Sequence, residues 1–284
     1  MATRYYPFRL GAIARAAQGP RWTIMRLGHM ASFFVRALVG IPVVFRHYRA
    51  ELLRLISMVT WGNGALIVGG GTAGIIIILG ASAGALVGIE GYDALKLLGI
   101  GPATGLVSAT ASTRELAPIM ASLAFAAQAG CRFTAQLGAM RIAEEVDATE
   151  SLGIRSIAYL VTTRLLASVT AIIPLYLLCL VANFVAVKFA MGIAGSHSPG
   201  TYEHYFHIVL NGKDVLFSMV KAVVFVLLTT TIQCYYGFYA TGGPEGVGIS
   251  TGRAMRACIT LMICVNLLMT MAFWGFDAGA RISG

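Results

Sequence analysis

Residues 165–187 read LLASVTAIIPLYLLCLVANFVAV, 23 consecutive positions without an Asp, Glu, Lys or Arg. A helix of about 20 apolar residues crosses the hydrocarbon core of a bilayer, so this run is long enough to span. Residues 55–89, 222–244 and 257–276 are likewise free of charge. The whole chain agrees: 57% of its 284 residues are apolar and only 12% charged, about half the charged fraction of a soluble domain, and the mean hydropathy is +0.78. A soluble core would break such runs with a polar face. The expected fold is an all-α integral membrane protein.

Outward from these runs, the pattern gives five spans, at about 62–88, 104–130, 157–188, 215–240 and 254–276, with residues 55–284 as one membrane domain. Residues 1–54 form a basic N-terminal segment. Between Ile24 and Phe45 the residues Leu27, Met30, Phe34, Ala37, Leu38, Ile41 and Phe45 share one helical face beside Arg26, His29 and Arg36. This pattern predicts a helix lying in the headgroup plane, bent near Gly40 and Pro42. A polar segment at 131–156 carries a short acidic helix that Gly153 ends.

The net charge of +9 is topological. Nine of the 21 basic residues fall within the first 54, and Arg132, Arg141, Arg155, Arg164, Arg253 and Arg256 bring to 15 the number assigned to one side by an odd number of spans. Basic residues mark the cytoplasmic face, which puts the N-terminus and the 131–156 segment there. This distribution argues against nucleic acid as a partner. No cleavable signal peptide is read at the start. The cysteines 131, 179, 234, 258 and 264 form no CxxC pair and read as small apolar residues.

Small residues four apart let helices approach closely in lipid, and Gly70, Gly74, Gly80, Gly84 and Gly88 supply such a stripe in the first span. The triplet 69–71 is no phosphate loop, since GxxxxGK[ST] occurs nowhere in the chain. Arg114, Glu115, Arg164 and Lys221 sit in or beside apolar runs, where charges pair or face a wet cavity. They are read either as a static network between helices or as the polar part of a transport path. His197, His204 and His207 with Glu203 in the outer loop read as solvated rather than as a zinc site. No catalytic constellation is present, so the expectation is a non-enzymatic protein with no cofactor and no metal of its own.

The stretch 113–154, TRELAPIMASLAFAAQAGCRFTAQLGAMRIAEEVDATESLGI, resembles the MlaE/YrbE family of ABC permeases in its REL-x-P start, its LG-x-M turn and its acidic helix ending in Gly. Residues 233–253, QCYYGFYATGGPEGVGISTGR, are similar to a second family element, and Lys221 to Phe225 form a weaker third. The likeness covers about 105–276. It implies a permease dimer in the bacterial plasma membrane, driven by a separate ABC ATPase that binds the ATP and magnesium. A lipid would pass to or from extracytoplasmic Mce-domain proteins.

By that resemblance, Arg141, Glu144, Glu145, Asp147, Ala148 and Glu150 face the ATPase. Arg114, Glu115, Lys221 and Asn266 belong to a lipid pathway or an intramembrane polar network. Glu145, Thr149, Gln136, Ala127-Gln128 and Asn266 depart from the family pattern, which has Gln, Leu, Glu, Gly-Arg and Asp there. They point to the actinobacterial YrbE branch and favour two different permease paralogues over a homodimer. Two rivals remain, an ion-coupled secondary transporter, which would show internal repeats, and an intramembrane lipid-modifying enzyme.

Overall fold

The computed structural model describes residue 25 and residues 28–61, 71–193 and 199–275, among which there is no strand. Nine helices carry the described chain: α1, Gly28–His47; α2, Arg49–Trp61; α3, Gly71–Lys96; α4, Thr104–Ile142; α5, Glu145–Ser151; α6, Ile157–Ile193; α7, Pro199–Val209; α8, Gly212–Phe238; and α9, Gly243–Trp274. Six of them, α1, α3, α4, α6, α8 and α9, are long and apolar enough to cross a membrane. The protein is an all-α integral membrane protein.

Several boundaries differ from the sequence reading. The helix of the second span does not stop at residue 130 but continues to Ile142, where residues such as Thr134, Leu137 and Gly138 keep packing against α8 and α9. The Gly-rich stretch 241–248 is not an extended turn. Gly242 reverses the chain at φ 91° and α9 begins at once, with Pro244 in its first turn, where a missing N–H costs nothing. The stretch between α6 and α8 contains a helix, α7, whose Tyr202 and Phe206 pack against α3 and α6 residues Tyr92, Val87, Val187 and Met191.

Helix α1 is long enough to span, and its geometry shows how it sits. Phe33 packs its ring on Tyr235, Phe238 and Tyr239 at the end of α8. The carbonyl of Ala37 accepts from Thr162, and Val44 joins Leu52, Leu55 and Ala167. Residues 37–44 thus meet α6 within its first turns. The chain turns at Gly40, where an added Cβ would lie 3.3 Å from the Ala158 methyl. The face against the protein is Phe33, Ala37, Gly40 and Val44, which shares only Ala37 with the apolar stripe read from the sequence, and Phe45 of that stripe is exposed. In lipid the most apolar face has no reason to turn inward, and small residues mark the contact instead.

Two seams hold the bundle. Along the first, α3 and α6 come into backbone contact at three glycines: an added Cβ would meet the Cys179 carbonyl at 2.7 Å from Gly80, the Asn183 backbone at 2.9 Å from Gly84, and the Ala190 methyl at 2.8 Å from Gly88. Asn183 Nδ2 donates to the Gly80 carbonyl across this seam at 3.1 Å. The second joins α4 to α8 through Gly130 and Gly237, with Thr134 Oγ1 donating to the Gln233 carbonyl at 2.9 Å. Pro174 lies inside α6 without ending it, as bundle neighbours allow in a membrane.

Candidate functional site

The most polar site inside the bundle starts from a backbone irregularity in α4. Over Ser108–Leu116 the helix opens to the wider π spacing, a form that recurs at functional positions. The Ala117 N–H reaches back to the Ser112 carbonyl, and Pro118 has no N–H to give. The carbonyls of Thr113 and Arg114 therefore lose their usual donors. Helix α8 supplies both: Ser218 Oγ donates to Thr113 O at 2.5 Å and Lys221 Nζ to Arg114 O at 3.0 Å.

Lys221 is wholly buried. Its ammonium also contacts Glu115 Oε1 at 3.0 Å and Thr270 Oγ1 at 2.7 Å. Glu115 accepts from the Thr270 hydroxyl at 2.6 Å and, through Oε2, from Asn266 Nδ2 at 2.8 Å. Arg114 pairs with Asp214 at 3.0 Å, while Trp274 Nε1 donates to the other oxygen of that carboxylate at 2.8 Å. The indole lies 5.3 Å from the Arg114 guanidinium carbon and 5.7 Å from Lys221 Nζ. Side chains of α4, α8 and α9 thus meet in one neutral network of two cations and two anions. Its opening is Glu115, whose side chain is 33% exposed.

The structure brings Arg114, Glu115, Lys221 and Asn266 together and adds Thr270, Asp214 and Trp274, which the sequence reading missed. Asp214 begins α8 and Trp274 ends α9, ordinary places for such residues. Pro118, four residues after Arg114, was the available signal. Gly74 is half-buried in α3, and Gly70 lies outside the described residues.

At the other end of α4 sits a short acidic helix. Glu144 is the one non-glycine described residue with a left-handed backbone, φ 58°, and it reverses the chain into α5. Gly153 ends α5 at φ 78°, with Ile154 N–H returning to Thr149 O at 3.2 Å and Gly153 N–H to Glu150 O at 2.9 Å, the two bonds of a Schellman cap. Val146 is fully buried and anchors the helix. Glu144, Glu145, Asp147, Ala148 and Glu150 are exposed. Arg141, still on α4, ties the two together by pairing with Asp147 at 2.5 Å, and Glu150 accepts from Ser156 ahead of α6.

Arg164, also in the apolar reading, stands apart from the network. It is 7% exposed, donates to Leu160 O at 2.5 Å and reaches Gln136 Oε1 at 3.5 Å over the Phe133 ring. Among the described residues no carboxylate lies within ion-pair distance of it. Gln136→Glu would place one there. We expect a gain of about 1–2 kcal/mol, the worth of a hydrogen bond becoming charge-assisted, read as a higher melting temperature. A lower one would show that the guanidinium is already compensated.

His204 and His207 are exposed on α7 and His197 lies outside the described residues; among the described residues no group of three His, Cys, Asp or Glu side chains could hold a metal ion. Glu203 instead accepts from Lys188 at 2.5 Å, and that bond holds its carboxyl below the usual carboxylate range.

This arrangement of helices meets known proteins at the level of family. A family model described as permease MlaE matches residues 62–272. The chain belongs to that family. The matched MlaE-type region contains the α4–α8–α9 network except Trp274, includes α5, and leaves α1 outside. A probable ABC transporter permease protein of Rickettsia bellii is 31% identical over 200 residues, 67% of this chain and 74% of that protein. The intermembrane phospholipid transport system permease protein MlaE of Haemophilus influenzae is 25% identical over 255 residues, 88% and 92% of the two chains. The chloroplastic protein TRIGALACTOSYLDIACYLGLYCEROL 1 of Arabidopsis thaliana is 28% identical over 201 residues, 71% and 57%. Together the apolar helices and the family make this a multi-pass membrane permease of the ABC type.

Proposed function

We propose that the chain is the membrane subunit of an ATP-driven lipid transporter, itself non-catalytic, which takes its work from a separate ABC ATPase that binds the ATP and magnesium. One observation carries this reading: a single helix, α4, holds Arg114 and Glu115 of the buried network and, 26 residues further on, Arg141 at the hinge of α5. At 1.5 Å per residue these points lie about 39 Å apart, more than the thickness of a bilayer core. A push on the exposed acidic face of α5 passes through the Arg141–Asp147 pair into α4. The π-spaced turns at Ala126–Gly130 and Ser108–Leu116 give that helix places to yield.

In this reading the 131–156 side and the N-terminus face the cytoplasm of a bacterial inner membrane, and α1 lies in the inner headgroup layer. A second permease subunit, favoured as a paralogue, completes the lipid path, and Mce-domain proteins meet the outer face. The phospholipid in the name of the Haemophilus relative supports a lipid cargo. Because Lys221 and Arg114 both have anionic partners, the network offers a lipid headgroup a neutral polar station, with the Glu115 carboxylate in front.

The test is charge reversal on α5. Changing Glu144 and Asp147 together to Lys is expected to abolish co-purification of the ATPase while leaving the permease folded, since both side chains are exposed. Undiminished recovery of the ATPase would refute the docking assignment. Native mass spectrometry of the gently extracted complex then reads the second subunit and any retained lipid.

A further inference from the structure

Neither the network nor the exposed face of α5 accounts for a cavity of about 310 Å³ between α1 and the start of α6, lined by Arg36, Val39, Gly40, Glu150, Ile154, Arg155, Ser156, Ile157 and Ala158. Two cations from distant parts of the chain, Arg36 on α1 and Arg155 just ahead of α6, converge on it. Among the described residues neither has an ion-pair partner. The acid in the wall, Glu150, already accepts from Ser156.

The rest of the wall is apolar: Val39, Ile154, Ile157 and Ala158. Val39 continues into an uncovered strip of α1, with Val39 67% and Val35 56% exposed. An occupant that fits is therefore amphiphilic, with an anionic end for two guanidinium groups and hydrocarbon to lie along α1. The first turn of α6 opens into the same cavity and adds a favourable N-terminal dipole for an anion.

We infer that the Arg36–Arg155 cavity binds the phosphate of an anionic phospholipid from the leaflet in which α1 lies. It is a regulatory contact separate from the transported cargo. The bound headgroup sits against Glu150 and Ser156, the pair that fastens the end of α5 to α6, so its presence braces the helix that the ATPase moves. Anionic lipids of the inner leaflet attract basic residues at the headgroup level, and bidentate guanidinium contacts favour phosphate over a mere excess of negative surface charge. The inference rests on the topology proposed above in one respect, that this end of the bundle faces the cytoplasmic leaflet.

The experiment uses the full-length permease in nanodiscs of phosphatidylcholine, with or without phosphatidylglycerol, comparing the native chain with Arg36→Gln/Arg155→Gln. The native chain is expected to melt several degrees higher with phosphatidylglycerol and to retain it through native mass spectrometry. The double variant should lose that shift and hold roughly thirtyfold less of the lipid, the combined effect of losing two basic contacts near the surface. Its melting in phosphatidylcholine alone should match the native chain, which separates loss of the site from loss of the fold, and Arg36→Lys/Arg155→Lys should recover part of the retention.

Inorganic phosphate added to phosphatidylcholine discs distinguishes the sources of the anion: no shift assigns the site to lipid, and a full shift assigns it to free phosphate and overturns the lipid. Equal retention by native and Gln-substituted chains overturns the site. So does a result in which only the ATPase subunit, and no lipid, gives a shift that depends on the two arginines. The readout needs neither ATP nor transport, so its failure leaves the transporter reading untouched, and failure of ATPase docking leaves this result standing.

Discussion

Replacing Lys221 with methionine is expected to lower the melting temperature by several degrees and to stop transport. The ammonium is fully buried and has three partners: Glu115, Thr270 and the Arg114 carbonyl. Removing one member of a buried ion pair costs about 3–5 kcal/mol in proteins generally. Glu115 is one third exposed and can recover some hydration, so the loss here should be about 2–4 kcal/mol. Methionine retains the bulk of the side chain but leaves the Arg114 carbonyl without the donor that Pro118 also denies it. The second variant, Lys221→Met with Glu115→Gln, removes the stranded charge. It should regain part of the stability and none of the transport, because the coupling between neighbouring positions is not additive. Transport by the single variant at the native rate would dismiss the network as a functional element, and an unchanged melting temperature would dismiss it as a structural one.

The second large effect is expected at Gly84. A Cβ there would fall 2.9 Å from both the carbonyl carbon and the Cα of Asn183 and closer still to its oxygen. Backbone atoms of a neighbouring span cannot rotate away as a side chain does. Gly84→Val should therefore force α3 from α6, break the Asn183–Gly80 bond and cost roughly 3 kcal/mol or more, the upper end for overpacking. The result would be read as a fall in melting temperature and in the yield of monodisperse protein. Gly192→Ala is the matched control, in the same helix pair with nothing within 4 Å of the new methyl. If both variants melt alike, the close approach of the two helices contributes nothing to the fold.

Much of this architecture was legible because hydrocarbon is an exacting solvent. Charge-free runs of twenty or more residues have few uses outside a bilayer, and the all-α membrane fold follows from them. Lys221 and Glu115 stood out for the same reason, each expensive where it lies unless the fold gathers partners around it. Their neighbours Thr270, Asp214 and Trp274 did not, since threonine is at ease inside a span and Asp and Trp at its ends.

The helix boundaries were misplaced where polar composition was taken to end a helix. Residues 131–142 are polar enough to look like a connector, yet Thr134 and Leu137 are buried against α8 and α9 and the helix goes on. The packing face of α1 has no signal in its amphipathicity, which shows the side that prefers lipid, whereas the side that packs carries small residues such as Ala37 and Gly40. The left-handed turn at Glu144 had no sequence signal, as glutamate is an uncommon occupant of that backbone region.

The glycine contact between α3 and α6 limits where motion in this permease can occur. Parting those two helices would strand the side-chain amide of Asn183 and the carbonyl of Gly80 in hydrocarbon, where each unmet polar group costs several kcal/mol. The pair is thus the stator of the machine. Helix α9 is largely uncovered by the rest of the chain, yet Asn266 and Thr270 fasten it to Glu115 and Lys221, so any displacement of α9 has to take that polar network along.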